Sequence, residues 1–217
     1  NNIIAHTDAI NTKRTAKGEP IRWKYFQYLT LLFVEIYLDR YFTDPVQLRS
    51  DLNDAIEKHN DERTDGRSIK PFDTTDEART QLNKIALWNA TGSGKTLLMH
   101  VNQLQYRHYE QRSGTSDLVN RVVLLTPNEG LSAQHLTEYN ASEIAAARFD
   151  KNEPAMYAGS RVDVIEVSKL AETSGIETVA VSAFESNNLV FVDEGHRGAS
   201  GDTWMKMRSA LCRDGFS

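Results

Sequence analysis

Two short motifs carry the residue types that phosphate chemistry requires. Asn89-Ala90-Thr91-Gly92-Ser93-Gly94-Lys95-Thr96 is a glycine loop ending in a lysine and a hydroxyl. Gly92 and Gly94 permit backbone angles that a Cβ disfavours. The Thr91-Gly92-Ser93-Gly94 turn can then point its N–H groups inward as an anion nest. A helix starting near Lys95 would add the positive end of its dipole. Lys95 would supply a full charge to the β- and γ-phosphates, and the Thr96 hydroxyl would ligate Mg²⁺. Asn89 stands where such a loop usually has its first glycine, which alters the local turn.

The second motif, Val192-Asp193-Glu194-Gly195-His196, ends an apolar run with two acids and a histidine. Ligands of open α/β sheets gather where parallel strands end. Asp193 would hold Mg²⁺ there through hard oxygen contacts. Glu194 is placed to act as general base toward an attacking water. His196 would sense the state of the γ-phosphate. In this order the two motifs predict ATP hydrolysis, with ATP and Mg²⁺ bound.

The elements that must position these residues follow from the apolar pattern. Residues 85–88 predict a strand leading into the glycine loop, and residues 96–112 a helix leaving it. Residues 121–125 (RVVLL) predict a second strand, followed by Thr126-Pro127-Asn128 and a helix over 130–149. Further strands are predicted over 162–167 and 178–182, and residues 189–192 form the strand that delivers Asp193. Asp202 would cap a last helix reaching Cys212. Continuous apolar strands alternating with helices predict an α/β fold with a mostly parallel sheet flanked by helices. Upstream, residues 1–20 read as a polar lead-in. Residues 21–42 read as a well-buried helix, apolar on more than one side. Asp44-Pro45 opens another helix to about residue 58. Residues 59–75 read as an exposed, mobile, charged loop.

Composition narrows the function classes. The 217 residues carry a net charge of -5, so the broad basic footprint of an isolated nucleic-acid binder is absent. Any such contact must use a local groove or another domain. The sole cysteine, Cys212, cannot form a disulfide within the chain, which fits a reducing, cytoplasmic setting. The apolar stretch 25–42 is interrupted by Gln27, Thr30, Glu35, Asp39 and Arg40, which excludes a spanning helix. Asp163, Glu166 and Lys169 have the wrong spacing for a D…ExK nuclease site, and Asp163 and Glu166 fall on opposite faces of a strand.

These residues resemble superfamily 2 helicases and translocases of the DExH type. Ala90-Thr91-Gly92-Ser93-Gly94-Lys95-Thr96 and Asp193-Glu194-Gly195-His196-Arg197-Gly198 look most like the restriction-enzyme motor branch, type III and type I-like. The resemblance is strong at the two motifs and loose over the rest of 21–217. It implies a RecA-like P-loop domain over 76–217, preceded by an N-terminal helical segment and loop over 21–75. It makes Lys95, Glu194 and His196 catalytic, Asp193 and Thr96 metal-holding, and Gln27 the glutamine that reads adenine. Thr126, Pro127 and Asn128 look like the motif that lies on the nucleic-acid backbone, and Lys169 falls near the next such motif.

The resemblance implies ATP-driven movement along nucleic acid, with DNA favoured over RNA, in a restriction or phage-defence system. An RNA helicase and a nucleotide-gated binding module that does not translocate are the rival readings. The family also has a Ser-Ala-Thr strand between the phosphate-loop strand and the Asp-Glu strand, and a second RecA-like domain with arginine fingers. A nuclease or methyltransferase module often accompanies them. The chain starts with Asn rather than Met and reads as a piece of a longer protein that stops before that strand. Without the arginine fingers, slow ATP hydrolysis and no translocation are expected of it.

Overall fold

The computed structural model describes residues 2–14, 20–64, 66–90, 92–114, 119–150, 152, 161–171, 175, 178–184, 187–194, 209–211 and 215–217. Its centre is a parallel sheet of four strands: β1 (Arg121–Thr126), β2 (Ala146–Arg148), β3 (Val162–Glu166) and β6 (Asn188–Val192), in the order β2-β3-β1-β6. A separate two-residue pair joins β4 (Leu170–Ala171) to β5 (Val179–Ala180). The helices are α1 (Asn2–Arg14), α2 (Tyr25–Thr43), α3 (Pro45–Glu62), α4 (Ala78–Gln81), α5 (Lys95–Arg112) and α6 (Glu129–Ala141).

The run Val122-Val123-Leu124-Leu125 is apolar throughout because both faces of β1 are covered. Val122 and Leu124 pack with Val162, Val164 and Leu189 beneath α2, α5 and Tyr139 of α6. Val123 and Leu125 point the other way, onto Ile165, Val190, Phe184 and Leu211. Alternation along a strand divides one apolar run between two cores. A third cluster, Ile3, Ile10, Leu31, Leu98 and Val101, joins α1, α2 and α5. The stretch read as a lead-in therefore holds a docked helix. Its seven-residue Ile3/Ile10 repeat is sparse, and the remaining residues are largely polar.

Several expectations change at the level of local structure. Residues 85–88 form no strand. Gly215, Phe216 and Ser217 instead enter beside them: Phe216 N–H donates to Asn188 O and Val190 N–H to Phe216 O. On the other side Ser217 N–H donates to Asn83 O and Ile85 N–H to Ser217 O. The chain is thus bonded to β6 and to residues 83–85 at once, and beyond that point residues 86–88 have no ladder among the described residues. Trp88 is 95% exposed.

The helix expected over 130–149 ends at Ala141, where Glu143 takes a positive φ, and the chain continues into β2. The strand expected over 178–182 shrinks to β5 and lies outside the main sheet. α2 is not buried all round: Tyr25, Phe33 and Ile36 are exposed, while Leu31, Val34, Leu38, Tyr41 and Phe42 face the core. The last predicted helix lies mostly outside the described residues, as do Cys212 and Arg197.

The charged loop after α3 is fastened rather than loose. Asn60 exchanges two hydrogen bonds with the backbone of Ile69, and Asn53 does the same with Phe72. Buried Arg49 donates to the carbonyls of Asp73, Thr74 and Asp76. Charge and glycine content mark a segment as polar, but they do not show the side chains of a neighbouring helix that bind its backbone. Among the described residues no helix is long and apolar enough to cross a membrane.

Candidate active site

The glycine loop and the acidic strand end meet at one cavity. Gly94 is the cap of α5, in the left-handed region at φ 80°, and it offers no side-chain acceptor to the first N–H groups of the helix. Those N–H groups lack intrahelical partners at any helix start and suit an anion. Lys95 is the first residue of α5 and Thr96 the second. Opposite them, β6 keeps its ladder with β1 as far as Asp193, whose N–H donates to Leu125 O at 2.9 Å. Glu194 then turns into the left-handed region at φ 51°, unusual for a residue with a Cβ. Strain of this kind gathers at functional sites.

That turn brings Glu194 onto Lys95, whose Nζ donates to Glu194 Oε1 at 2.6 Å. Asp193 is 8% exposed and holds a second contact, with His135 Nε2 2.9 Å from its Oδ2. Burial pushes the Asp193 carboxyl up. The His135 hydrogen bond and charge, the Lys95 ammonium and the Glu194 backbone N–H together outweigh burial and hold it below its ordinary range. Asp193 is therefore a carboxylate at neutral pH.

Lys95, Asp193 and Glu194 line a cavity of about 590 Å³ together with Asn89 and Ala90. Behind this charged mouth the cavity becomes an apolar slot between residues 85–88 and β6, with Phe216 and Ser217 at its far end. The mouth can take a phosphate against a cation and place a carboxylate beside it. Among the described residues, no group of three or more His, Cys, Asp and Glu side chains could hold a metal unaided. Mg²⁺ needs only one or two carboxylates when it arrives with phosphates. The ionised Asp193, which lines the cavity beside Lys95, fits that demand.

Other predicted site residues are placed as follows. Gln27 does reach the loop: its Oε1 accepts from Lys24 N–H at 2.8 Å and its Nε2 donates to Ser93 O at 2.7 Å. Its amide is engaged at both ends and links the start of α2 to the loop. Gly92 also has positive φ, and Ser93 is buried. Thr91 and His196 lie outside the described residues.

Thr126 is fully buried, and its hydroxyl lies 2.6 Å from Ser132 Oγ. Its side chain faces α6 rather than solvent, so the expected hydroxyl contact to a phosphate is not poised. Asn128 is exposed and caps α6, its Oδ1 accepting from Leu131 N–H. Pro127 lies between them, partly exposed. Lys169 is half-exposed and pairs with Glu166 at 2.8 Å. Because Thr126 registers with Glu166, the turns after β1 and β3 are neighbours at the same C-terminal end of the sheet as Asp193.

Sequence reasoning missed His135. The signal was present: Ser132, His135 and Tyr139 recur at spacings of three and four, and they are the buried stripe of α6. A stripe with polar residues on the core side of a helix marks a site or a buried network.

The family described as "Type III restriction enzyme, res subunit" matches residues 46–213, more than half of the chain. No curated protein and no solved structure matches it. The matched family is helicase-like and ATP-hydrolysing, and its domain is the α/β, RecA-like kind seen here. The chain belongs to the type III restriction enzyme res subunit family, within the superfamily 2 helicases.

Proposed function

We propose that this chain binds ATP with Mg²⁺ and hydrolyses it as part of a motor that moves along DNA in a cytoplasmic restriction or phage-defence system. The observation that carries the reading is the meeting of Lys95, Asp193 and Glu194 at one cavity mouth. Lys95 would leave Glu194 for the β- and γ-phosphates, and the first N–H groups of α5 would bond the same anion. Mg²⁺, when bound, neutralises phosphate charge. Thr96 and Asp193 would hold it. Freed Glu194 would accept a proton from the attacking water as its oxygen bonds to the γ-phosphorus and the bond to the β–γ bridging oxygen breaks, giving ADP and phosphate. His196 would respond to the γ-phosphate. Thr91, Gly92, Ser93 and Gly94 would cradle the phosphates, and Gln27 would serve the nucleotide from the start of α2, where it is bonded to the loop at Ser93.

Nucleic acid would lie across the C-terminal end of the sheet, over the turns after β1 and β3. Exposed Asn128 and half-exposed Lys169 would contact its backbone there without reading sequence. Thr126 and Pro127 would shape that turn. Partners would include a second RecA-like domain and a nuclease or methyltransferase module. Steady-state ATP hydrolysis measured with double-stranded DNA, single-stranded DNA and RNA tests the reading. This chain alone should hydrolyse ATP slowly; joined to the second RecA-like domain and its arginine fingers, stimulation of tenfold or more by double-stranded DNA is expected. In that two-domain protein, stimulation by RNA alone, or a rate indifferent to any nucleic acid, would overturn the DNA motor in favour of an RNA helicase or a nucleotide-gated module.

A further inference from the structure

The Asp193 carboxylate has a partner that neither motif contains. His135 lies on α6, its side chain only 2% exposed, with Nε2 2.9 Å from Asp193 Oδ2. Its other ring nitrogen, Nδ1, is buried and makes no hydrogen bond among the described residues. An unsatisfied buried polar atom costs about 1–3 kcal/mol, and a leucine of similar size would fill the same space without that cost. An imidazole at this position therefore has to be explained by the one bond it makes. That bond goes to the acid expected to hold the metal. A hydrogen bond to one carboxylate oxygen stops the group from rotating and fixes the face it turns to the cavity.

The helix that carries His135 is rigidly attached at its start. Asn128 caps it through Leu131 N–H, and Ser132 Oγ lies 2.6 Å from the Thr126 hydroxyl at the end of β1. Its other end is held as well, with Arg14 donating to Glu138 and to Ser142 Oγ. A displacement of the turn at 127–130 would move α6 as a body, and His135 with it.

We propose that His135 is the positioning residue for Asp193, holding that carboxylate for Mg²⁺ and linking the exposed turn before α6 to the metal site. The inference rests on the ATPase reading above and deepens it. Outer partners of metal ligands are typically worth about 10–100-fold in metal affinity or activity.

The test measures ATP affinity, by a fluorescent ATP analogue, in EDTA and over a range of Mg²⁺, for the unmodified protein and for His135→Leu, His135→Gln and His135→Asn. Thermal unfolding is followed for each. In EDTA all should bind alike. The tightening by Mg²⁺ should fall tenfold or more in His135→Leu and be largely kept in His135→Gln, whose amide N–H can reach Asp193. His135→Asn is shorter and should behave like Leu, which keeps the comparison open if His135→Leu does not fold. A folded His135→Leu or His135→Asn with the full Mg²⁺ response overturns this inference alone. Absence of ATP binding by the unmodified protein overturns the ATPase reading and this inference with it.

Discussion

Lys95 Nζ and Glu194 Oε1, 99 positions apart in sequence, are hydrogen-bonded at 2.6 Å. The cation suited to phosphate and the carboxylate suited to water are thus each other's partner, with side chains 26% and 14% exposed. In the proposed ATPase a triphosphate would separate them, which would tie release of the carboxylate to arrival of the substrate.

This ion pair should appear as a coupling in stability. A double-mutant cycle with Lys95→Ala and Glu194→Ala, read from denaturant midpoints, is expected to give about 1 kcal/mol. That figure is kept at the level of exposed pairs because Lys95 retains access to solvent. Additivity of the two single losses would contradict the pairing. The Lys95→Ala variant should also lose ATP binding while remaining folded.

The two loop glycines should differ. Both have positive φ, 75° at Gly92 and 80° at Gly94. An added Cβ meets nothing within 4 Å at Gly92, but at Gly94 it would lie 2.8 Å from Gln27 Nε2. Alanine pays about 1–2 kcal/mol for the left-handed conformation at either site. At Gly94 it must also push Gln27 off Ser93 O. ATP affinity is therefore expected to fall further in Gly94→Ala than in Gly92→Ala, and the gap should narrow in a Gln27→Ala background. Equal losses at both glycines would count against the contact.

His100 gives the fold an acid limit. Burial, followed by the nearby His135 and Arg14, lowers its pKa from 6.5 to about 3. The ring stacks on Tyr139 at 4.1 Å and its Nδ1 lies 3.0 Å from Ser142 Oγ. Below about pH 6.5 the unfolded chain takes up a proton at this histidine that the folded chain refuses. Stability from this group is complete above pH 6.5 and declines as pH falls toward 3, with a slope approaching about 1.4 kcal/mol per pH unit. Chemical denaturation between pH 7 and 4.5 should show a shallower decline for His100→Phe than for the unmodified protein. Parallel curves would show that His100 titrates normally in the fold.

The sequence made the site legible where chemistry is local. Lys95 must follow the glycines, and Asp193 must end an apolar strand, so their meeting at the C-terminal end of the strands was readable. The run at 121–125 was readable as a doubly covered strand for the same reason. What escaped depends on distant partners. Residues 85–88 look like a strand, yet a ladder needs a neighbour, and among the described residues only Ser217 bonds beside them, at Ile85. The loop after α3 looks mobile until Arg49, Asn53 and Asn60 are seen to bind its backbone. His135 was hidden because its partner lies 58 positions away.

Glu194→Gln tests the central claim most directly, because it keeps the side chain's shape and removes its capacity to take a proton. ATP binding and hydrolysis should be measured on the same samples with double-stranded DNA present. ATP should bind at least as tightly as in the unmodified protein, since the substitution also frees Lys95. Hydrolysis should fall by about 10²–10⁴-fold, the range for loss of a general base. Hydrolysis near the unmodified rate would show that Glu194 does not activate the water.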